Sequence, residues 1–284
     1  MTSITTEPFV YSGFQTGVIY ELNAYGRPAA TNLTAYTGIE IYATKLYSLT
    51  IPPARKIVHV GNDKALKTQQ FPPLEPATGE ISVGAEDLDV IAALSGASIV
   101  EIAGMQMLPT LTDLQGSEPN IGLILYQAAV AQSGAQRYHF HMITSTKAIV
   151  RLGGFGAEPI DLVYEIAPDK VDRYLWGMDM APLADPSDPY SGVTESGALD
   201  AGIWSGFSAA EPRIASFIGD GVTKAFNFPD NMQAADITNV AVFTATGATV
   251  TEEAASGYVV TAGAVTFTVA PTNGHEVHVL YQKA

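Results

Sequence analysis

Two histidines, His139 and His141, stand two residues apart in an alternating segment. That spacing puts both on one face of a strand, where they could touch one metal ion. A metal site generally takes a third ligand and an ordered surrounding shell. None can be named from the sequence, so a polar strand face is the expected role, and His275 and His278 near a turn are read the same way. Glu86, Asp87 and Asp89 bring together carboxylates of the kind glycoside hydrolysis needs. They also open a helix, whose first turn favours acids without any catalysis. Gly153-Gly-Phe-Gly156 ends a strand without opening a helix, so it reads as a turn and not as a phosphate cradle. Asp185-Pro-Ser-Asp-Pro-Tyr-Ser-Gly192 lacks the alternating acids and closing glutamate of a calcium loop. Asn32-Leu-Thr34 matches a glycosylation acceptor, but nothing at Met1-Thr-Ser-Ile-Thr-Thr-Glu-Pro8 resembles a secretory leader. No serine elbow, Walker loop, dinucleotide fingerprint or His-Glu-x-x-His occurs. There is no cysteine, which excludes disulfides, thiolate catalysis and thiolate metal sites. The expectation is no catalytic residue, no cofactor and no metal.

With chemistry set aside, the elements carry the reading. At 284 residues with 47% hydrophobic content, the chain can bury one large core or two moderate ones. Charged residues are 15%, below the roughly 25% usual for soluble chains. That leaves much neutral surface for contact with other subunits. The net charge is −15, and 23 of the 29 acids precede Pro212. Nucleic-acid binding draws on Lys and Arg displacing counterions, so this chain should repel DNA. No apolar run reaches the roughly 18 residues of a membrane helix, and no membrane insertion is expected.

Thr37 to Ile51 is the clearest long strand. Ile39, Ile41, Ala43, Tyr47, Leu49 and Ile51 share one parity, and Glu40, Thr44, Ser48 and Thr50 share the other. Gln136–Ile143 and Ile160–Ile166 also alternate, while Ile121–Val130 is apolar throughout and suits a strand covered on both faces. Further strands are expected at Gly17–Leu22, Arg55–Val60, Gly79–Val83, Ser98–Ala103, Thr146–Leu152 and Lys170–Trp176. One helix spans Ala85 to Ser95, stopped by Gly96, with Leu88, Ile91, Ala92 and Ser95 as its packing stripe.

Between Pro182 and Pro212 periodicity disappears amid Pro and Gly. Structureless loops rarely exceed about 12–15 residues, so this stretch reads as a linker or an arm. Trp204 and Phe207 suit a segment that docks, with an adjacent subunit as the expected partner. Beyond it, Phe217-Ile-Gly-Asp-Gly-Val-Thr-Lys-Ala-Phe-Asn-Phe228 reads as a hairpin about Asp220-Gly221. Tyr258-Val-Val, Ala264–Ala270, the Asn273-Gly274 turn and Val277–Tyr281 complete a small sandwich of immunoglobulin type. The organisation expected is a mainly β domain over 1–181 with one packed helix, a linker or inter-ring arm over 182–212, and an Ig-like module over 213–284.

This layout, with its acidic-start helix inside Gly79–Ala97 and its module containing Gly219-Asp-Gly-Val-Thr-Lys-Ala-Phe226, resembles the major tail tube protein of a long, non-contractile-tailed bacteriophage. The resemblance spans nearly the whole chain. It implies a virion tail protein made in the host bacterial cytoplasm, without enzymatic activity. Its copies would form hexameric rings that stack, alongside other phage tail proteins, into a tube that conducts DNA at ejection. Strands from all subunits would close one inner barrel. Glu40, Thr44, Ser48 and Thr50 are then the expected lumen-facing residues, since an acidic, hydroxyl-rich wall lets DNA slide. Trp204 and Phe207 would belong to an inter-subunit arm. The module would decorate the exterior, touching host-surface glycans weakly and many times over, and truncation after Glu211 would leave assembly intact. The rival readings are a tail-fibre or surface adhesin that binds carbohydrate, with Tyr258 and Tyr281 as available aromatics, and last a glycosidase on a β-scaffold.

Overall fold

A computed structural model describes residues 9–30, 32–42, 44–50, 55–61, 64–71, 78–83, 87–107, 118–151, 162–168, 203–229, 232 and 240–283. The chain is mainly β with antiparallel sheets, and the described residues include one α-helix. In the first part the strands are β1 (Phe9–Glu21), β2 (Ile39–Tyr42), β3 (Thr44–Thr50), β4 (Arg55–Gly61), β5 (Lys64–Phe71) and β6 (Thr78–Val83). After the helix α1 (Leu88–Ser95) come β7 (Val100–Ile102), β8 (Met105–Met107), β9 (Ile121–Ala131), β10 (Gln136–Arg151) and β11 (Leu162–Pro168). The main sheet runs β2-β1-β9-β10-β11-β6-β3.

Both ends of that order belong to one stretch of chain. The stretch expected to be one strand over Thr37 to Ile51 holds two: β2, which pairs with β1, and β3, which pairs with β6. Because β2 and β3 are consecutive, and β1 also approaches β3, the sheet curls until it meets itself.

The interior is filled by alternate residues of these strands and by α1. Ile19, Ile41, Ile81, Ile121, Leu123, Leu125 and Ile143 meet Val90, Ile91, Ala93 and Leu94 of the helix. Each such aliphatic side chain contributes about 1.5–3 kcal/mol on burial. The helix starts at Asp87, whose carboxylate accepts from the Asp89 amide at 2.9 Å, and stops at Gly96, left-handed at φ 72°. Its buried face is wider than the stripe through Leu88, Ile91, Ala92 and Ser95. Val90, Ala93 and Leu94 are buried and Ala92 only half so, because α1 touches β10, β2 and β1 together.

The remaining strands are β12 (Ile203–Ser208), β13 (Pro212–Ile218), β14 (Ala225–Asn227), β15 (Ala241–Thr246), β16 (Thr249–Glu252), β17 (Tyr258–Thr261), β18 (Ala264–Phe267) and β19 (Glu276–Gln282). From β13 onward they make two sheets, β13-β19-β15-β16 and β14-β18-β17. One core lies between them: Phe217 stacks on Phe226 at 3.8 Å, Phe228 on Tyr281 at 5.5 Å, and Val242, Val265, Val277 and Val279 surround them.

The hairpin expected across Asp220-Gly221 is absent. The turn forms, with Asp220 Oδ1 accepting from Val222 and Thr223 and Gly221 at φ 79°. However, β13 pairs with β19 and β14 with β18. The turn is thus an arch between sheets, because Phe217 and Phe226 must face each other across the core instead of lying side by side. The Asn273-Gly274 turn likewise carries β18 to β19 in the other sheet. The two arches pin each other: Gly221 N donates to Pro271 O, and Gly274 N to Gly219 O. True two-residue hairpins sit instead at Gly247-Ala248 and Ala262-Gly263.

The linker or arm expected over 182–212 is corrected in its last part. Residues 182–202, like Lys170–Trp176, lie outside the described residues. Residues 203–208 form β12, which pairs with β10 of the same chain, Trp204 opposite Met142 and Phe207 opposite His139. Only residues 209–211 then separate β12 from β13. Among the described residues, no helix is long and apolar enough to cross a membrane.

Candidate functional site

Two regions stand out once the fold is traced. The first is a flange of four strands that leaves the closed sheet. Beyond the stretch of β1 held by β2, residues Phe9, Val10, Tyr11 and Phe14 pair with Ala131, Val130, Ala129 and Gln127 of β9. β9 pairs with β10 from Gln136 onward, and β12 lies on the other side of β10 along Tyr138–Ile143. Register shifts mark where flange and closed sheet part: in β1 between Tyr11 and Thr16, and in β10 between Ile143 and Thr146. Such irregularities bend a strand and redirect its pairing. Just past the second shift, β10 exchanges β12 for β11. Among the described residues, no strand pairs with the outer edge of β1 over 9–14 or with the outer edge of β12. Val10, on that stretch of β1, is 75% exposed.

The second region is the joint between the closed sheet and the C-terminal sandwich. Strands β1, β9 and β10 are covered on both faces there. Their outward residues Val18, Tyr20, Ile124, Tyr126 and Met142 share a core with Ile214 and Phe243 of the sandwich, and six consecutive residues, Ile121 to Tyr126, are buried. The Tyr126 hydroxyl donates to the Pro212 carbonyl, and the Ile214 amide donates to the Tyr20 hydroxyl at 3.0 Å. Tyr36 and Ser216 exchange backbone bonds at 2.8 and 2.9 Å, covering the outer edge of β13. Burial pushes the Tyr36 phenol up to about 12.

Two charged clusters, centred on the buried Arg213 and Arg27, close this joint. In one, Arg213 donates to Glu40 and Glu211 at 2.8 Å each and lies over the Tyr126 ring, while Lys283 reaches Glu40 at 3.3 Å. Burial disfavours ionised Glu40, but the Tyr42 hydroxyl and the charges of Arg213 and Lys283 outweigh it and lower its pKa. In the other, Arg27 donates to Glu276 at 2.9 Å and to the Gly247 carbonyl at 2.8 Å. Asn23 donates to both Glu276 oxygens, and His278 bridges Ser216 at 2.8 Å and Glu276 at 3.2 Å. Burial opposes the Glu276 charge, yet hydrogen bonds from His278 and Arg27 bring its pKa down to about 2. The His278 pKa is lowered by burial, against the pull of Glu276.

Ser216, His278 and Glu276 are joined in the order of a hydrolase triad. Both Ser216 and His278 are fully buried, so no substrate carbonyl can approach the hydroxyl in this arrangement, and Arg27 already neutralises the acid. The three residues act as a structural relay.

Of the residues singled out from sequence, Glu40 points under the sandwich and not to an open wall. β2 lies on the sheet that the module covers, and Arg213 draws the carboxylate inward. Ser48 and Thr50 are exposed on β3, opposite Glu80 and Thr78 of β6, which are also exposed. The Thr44 side chain lies outside the described residues, as do those of Trp204 and Phe207; the backbone of the last two is docked on their own chain. His139 and His141 are half-buried with rings 4.5 Å apart. Burial lowers both pKa values, that of His141 to about 4 with the charge of His139 adding to the effect. Among the described residues, no group of three or more His, Asp or Glu side chains is placed to hold a metal ion.

Arg27, Arg213 and Glu276 drew no attention in the sequence, where single charges in turn and strand segments look solvent-facing. The clue for His278 was available: Val277, Val279 and Tyr281 share one face, which leaves Glu276 and His278 together on the other. No protein-family model matches the chain, and no curated protein is significantly similar to it.

Proposed function

We propose that this chain is a tail tube subunit of a long, non-contractile bacteriophage tail, whose copies join edge to edge into stacked rings that conduct DNA. The observation that supports this reading is the flange. Its four strands alternate in direction, so β1 and β12 run opposite ways. The β1 edge of one copy therefore meets the β12 edge of the next as an ordinary antiparallel pair, and repetition closes a ring with no edge left over. An unsatisfied row of backbone donors and acceptors is a hazard unless something pairs with it; a neighbouring copy answers that need. Function then comes from packing and charge, without turnover.

The reading drops Glu40 from the conduit wall. Ser48 and Thr50, with their cross-strand partners Glu80 and Thr78, form an exposed face of hydroxyls and carboxylate that would not hold phosphate, on strands outside the flange. The sandwich over 213–284, read as an Ig-like module, sits on the outer side of the sheet as an exterior domain. Negative-stain electron microscopy of concentrated protein tests the proposal: hollow rods or stacked rings are expected. The variant Val10→Lys, which puts a charge on the flange edge, is expected to remain folded by circular dichroism and to form no rods. Dispersed wild-type particles, or rods unaffected by the substitution, would count against edge-to-edge assembly.

A further inference from the structure

The joint between closed sheet and sandwich holds two ion clusters of unequal balance. Around Arg213, two carboxylates, Glu40 and Glu211, serve two cations, Arg213 and Lys283. Around Arg27 there is one carboxylate, Glu276, and its Oε2 already serves both Arg27 at 2.9 Å and His278 at 3.2 Å. The charged groups facing His278 are Glu276 on its own strand and Arg27 from the segment after β1. From the neighbouring strands, β13 offers Ser216 and β15 offers Phe243, behind which β16 sets the exposed Glu252.

Ionised Glu276 can only accept, so His278 Nε2 carries the proton and Nδ1 accepts from the Ser216 hydroxyl. This neutral tautomer satisfies every group. A second proton on the ring would place two buried cations against one carboxylate and reverse the Ser216 bond. Hydrogen bonds from Asn23 and Arg27 to Glu276 are contacts between the two halves of the molecule, some 250 residues apart in sequence.

We propose that His278 is an acid-sensitive latch: neutral, it locks the sandwich onto the β1–β9–β10 face, and protonated, it releases it. The inference is independent of ring formation. The sign follows from burial. An exposed histidine takes its proton near pH 6.5, whereas in the closed joint His278 resists it. The closed state is thus fully favoured above 6.5 and loses that advantage as pH falls, while Glu276, at about 2, stays ionised through the window.

The test uses the full chain. Its five histidines allow imidazole protonation to be followed by NMR while hydrogen exchange is read at Val18–Tyr20 and Ile214–Phe217, corrected for intrinsic rates. As pH falls below 6.5, protonation of His278 is expected to coincide with at least a tenfold loss of protection at both segments, with α1 still protected. In His278→Gln the loss should move to lower pH, into the carboxylate range. Should that variant not fold, the wild-type coincidence decides. His278 protonating with protection unchanged, or protection lost while His278 stays neutral, would refute the latch, as would identical pH midpoints in the two proteins.

Discussion

Arg213 shows how a side chain that looks superficial in the sequence becomes a buried tie between distant parts of the chain. It is 2% exposed and holds two carboxylates from separate parts of the chain. Removing one partner of a buried ion group leaves the others unpaired and costs about 3–5 kcal/mol. Arg213→Ala is therefore expected to lower unfolding free energy in urea by about that amount, and Glu40→Gln by distinctly less, because Glu40 retains solvent access. Glu276 makes a prediction in pH. Its folded pKa, about 2, lies below the ordinary 4.5, so its stabilisation is complete above pH 4.5 and is lost as pH falls towards 2. Stability of wild type against that of Glu276→Gln, measured between pH 5 and 2.5, should converge as acid is added. Neither role was legible beforehand: Arg27 and Arg213 meet partners 249 and 173 residues away, and no local pattern encodes such a separation.

At the scale of elements, legibility tracked how far each element depends on its own sequence. The helix stop at Gly96 and the doubly covered strand at Ile121 are legible because a glycine cap and a continuous apolar run are local signals, whereas the helix expected from Ala85 begins at Leu88, after its Asp87 cap. β10 was read as two strands since Thr144-Ser145-Thr146 interrupts its alternation; Thr144 and Thr146 are in fact fully buried at the register shift. β12 was read as linker because its pairing partner, β10, supplies the order that its composition does not. β15 and β16 went unread for want of a clear turn signal. The turns themselves were found, but pairing across them was decided by the phenylalanine core. Gly219 lies where the two arches touch: an added Cβ would stand 2.8 Å from Pro271 Cβ and from the Pro271 and Thr272 carbonyls. Overpacking of this kind costs about 1–3 kcal/mol. Gly219→Ala should lower the midpoint of thermal unfolding, with the loss of hydrogen-exchange protection first seen at 217–221 and 271–275.

For the whole molecule, the joint reverses one expectation. A module that merely follows a linker could be cut away after Glu211 without harm. Here the cut would bare Val18, Tyr20, Ile124, Tyr126 and Met142, each having contributed about 1.5–3 kcal/mol by burial, and would strip Glu40 of Arg213. The truncated protein should bind a hydrophobic dye and aggregate at concentrations where the full chain stays dispersed or forms rods. Assembly of a soluble truncation into normal rods would show the joint to be dispensable.

The Asn23–Glu276 contact spans 253 residues, and its reach governs how the polypeptide is made. β1 cannot complete its pairing with β9 until residue 131 has left the ribosome, and the sheet that carries Ile214 and Phe243 onto the outward face of both is not joined until β19 enters between β13 and β15. Long-range pairing of this kind slows folding, because chain entropy must be surrendered before contacts reward it. Nascent copies therefore hold an oily, strand-edged surface open until the sandwich has formed, and at high expression chaperone capacity during synthesis should limit the yield of native protein.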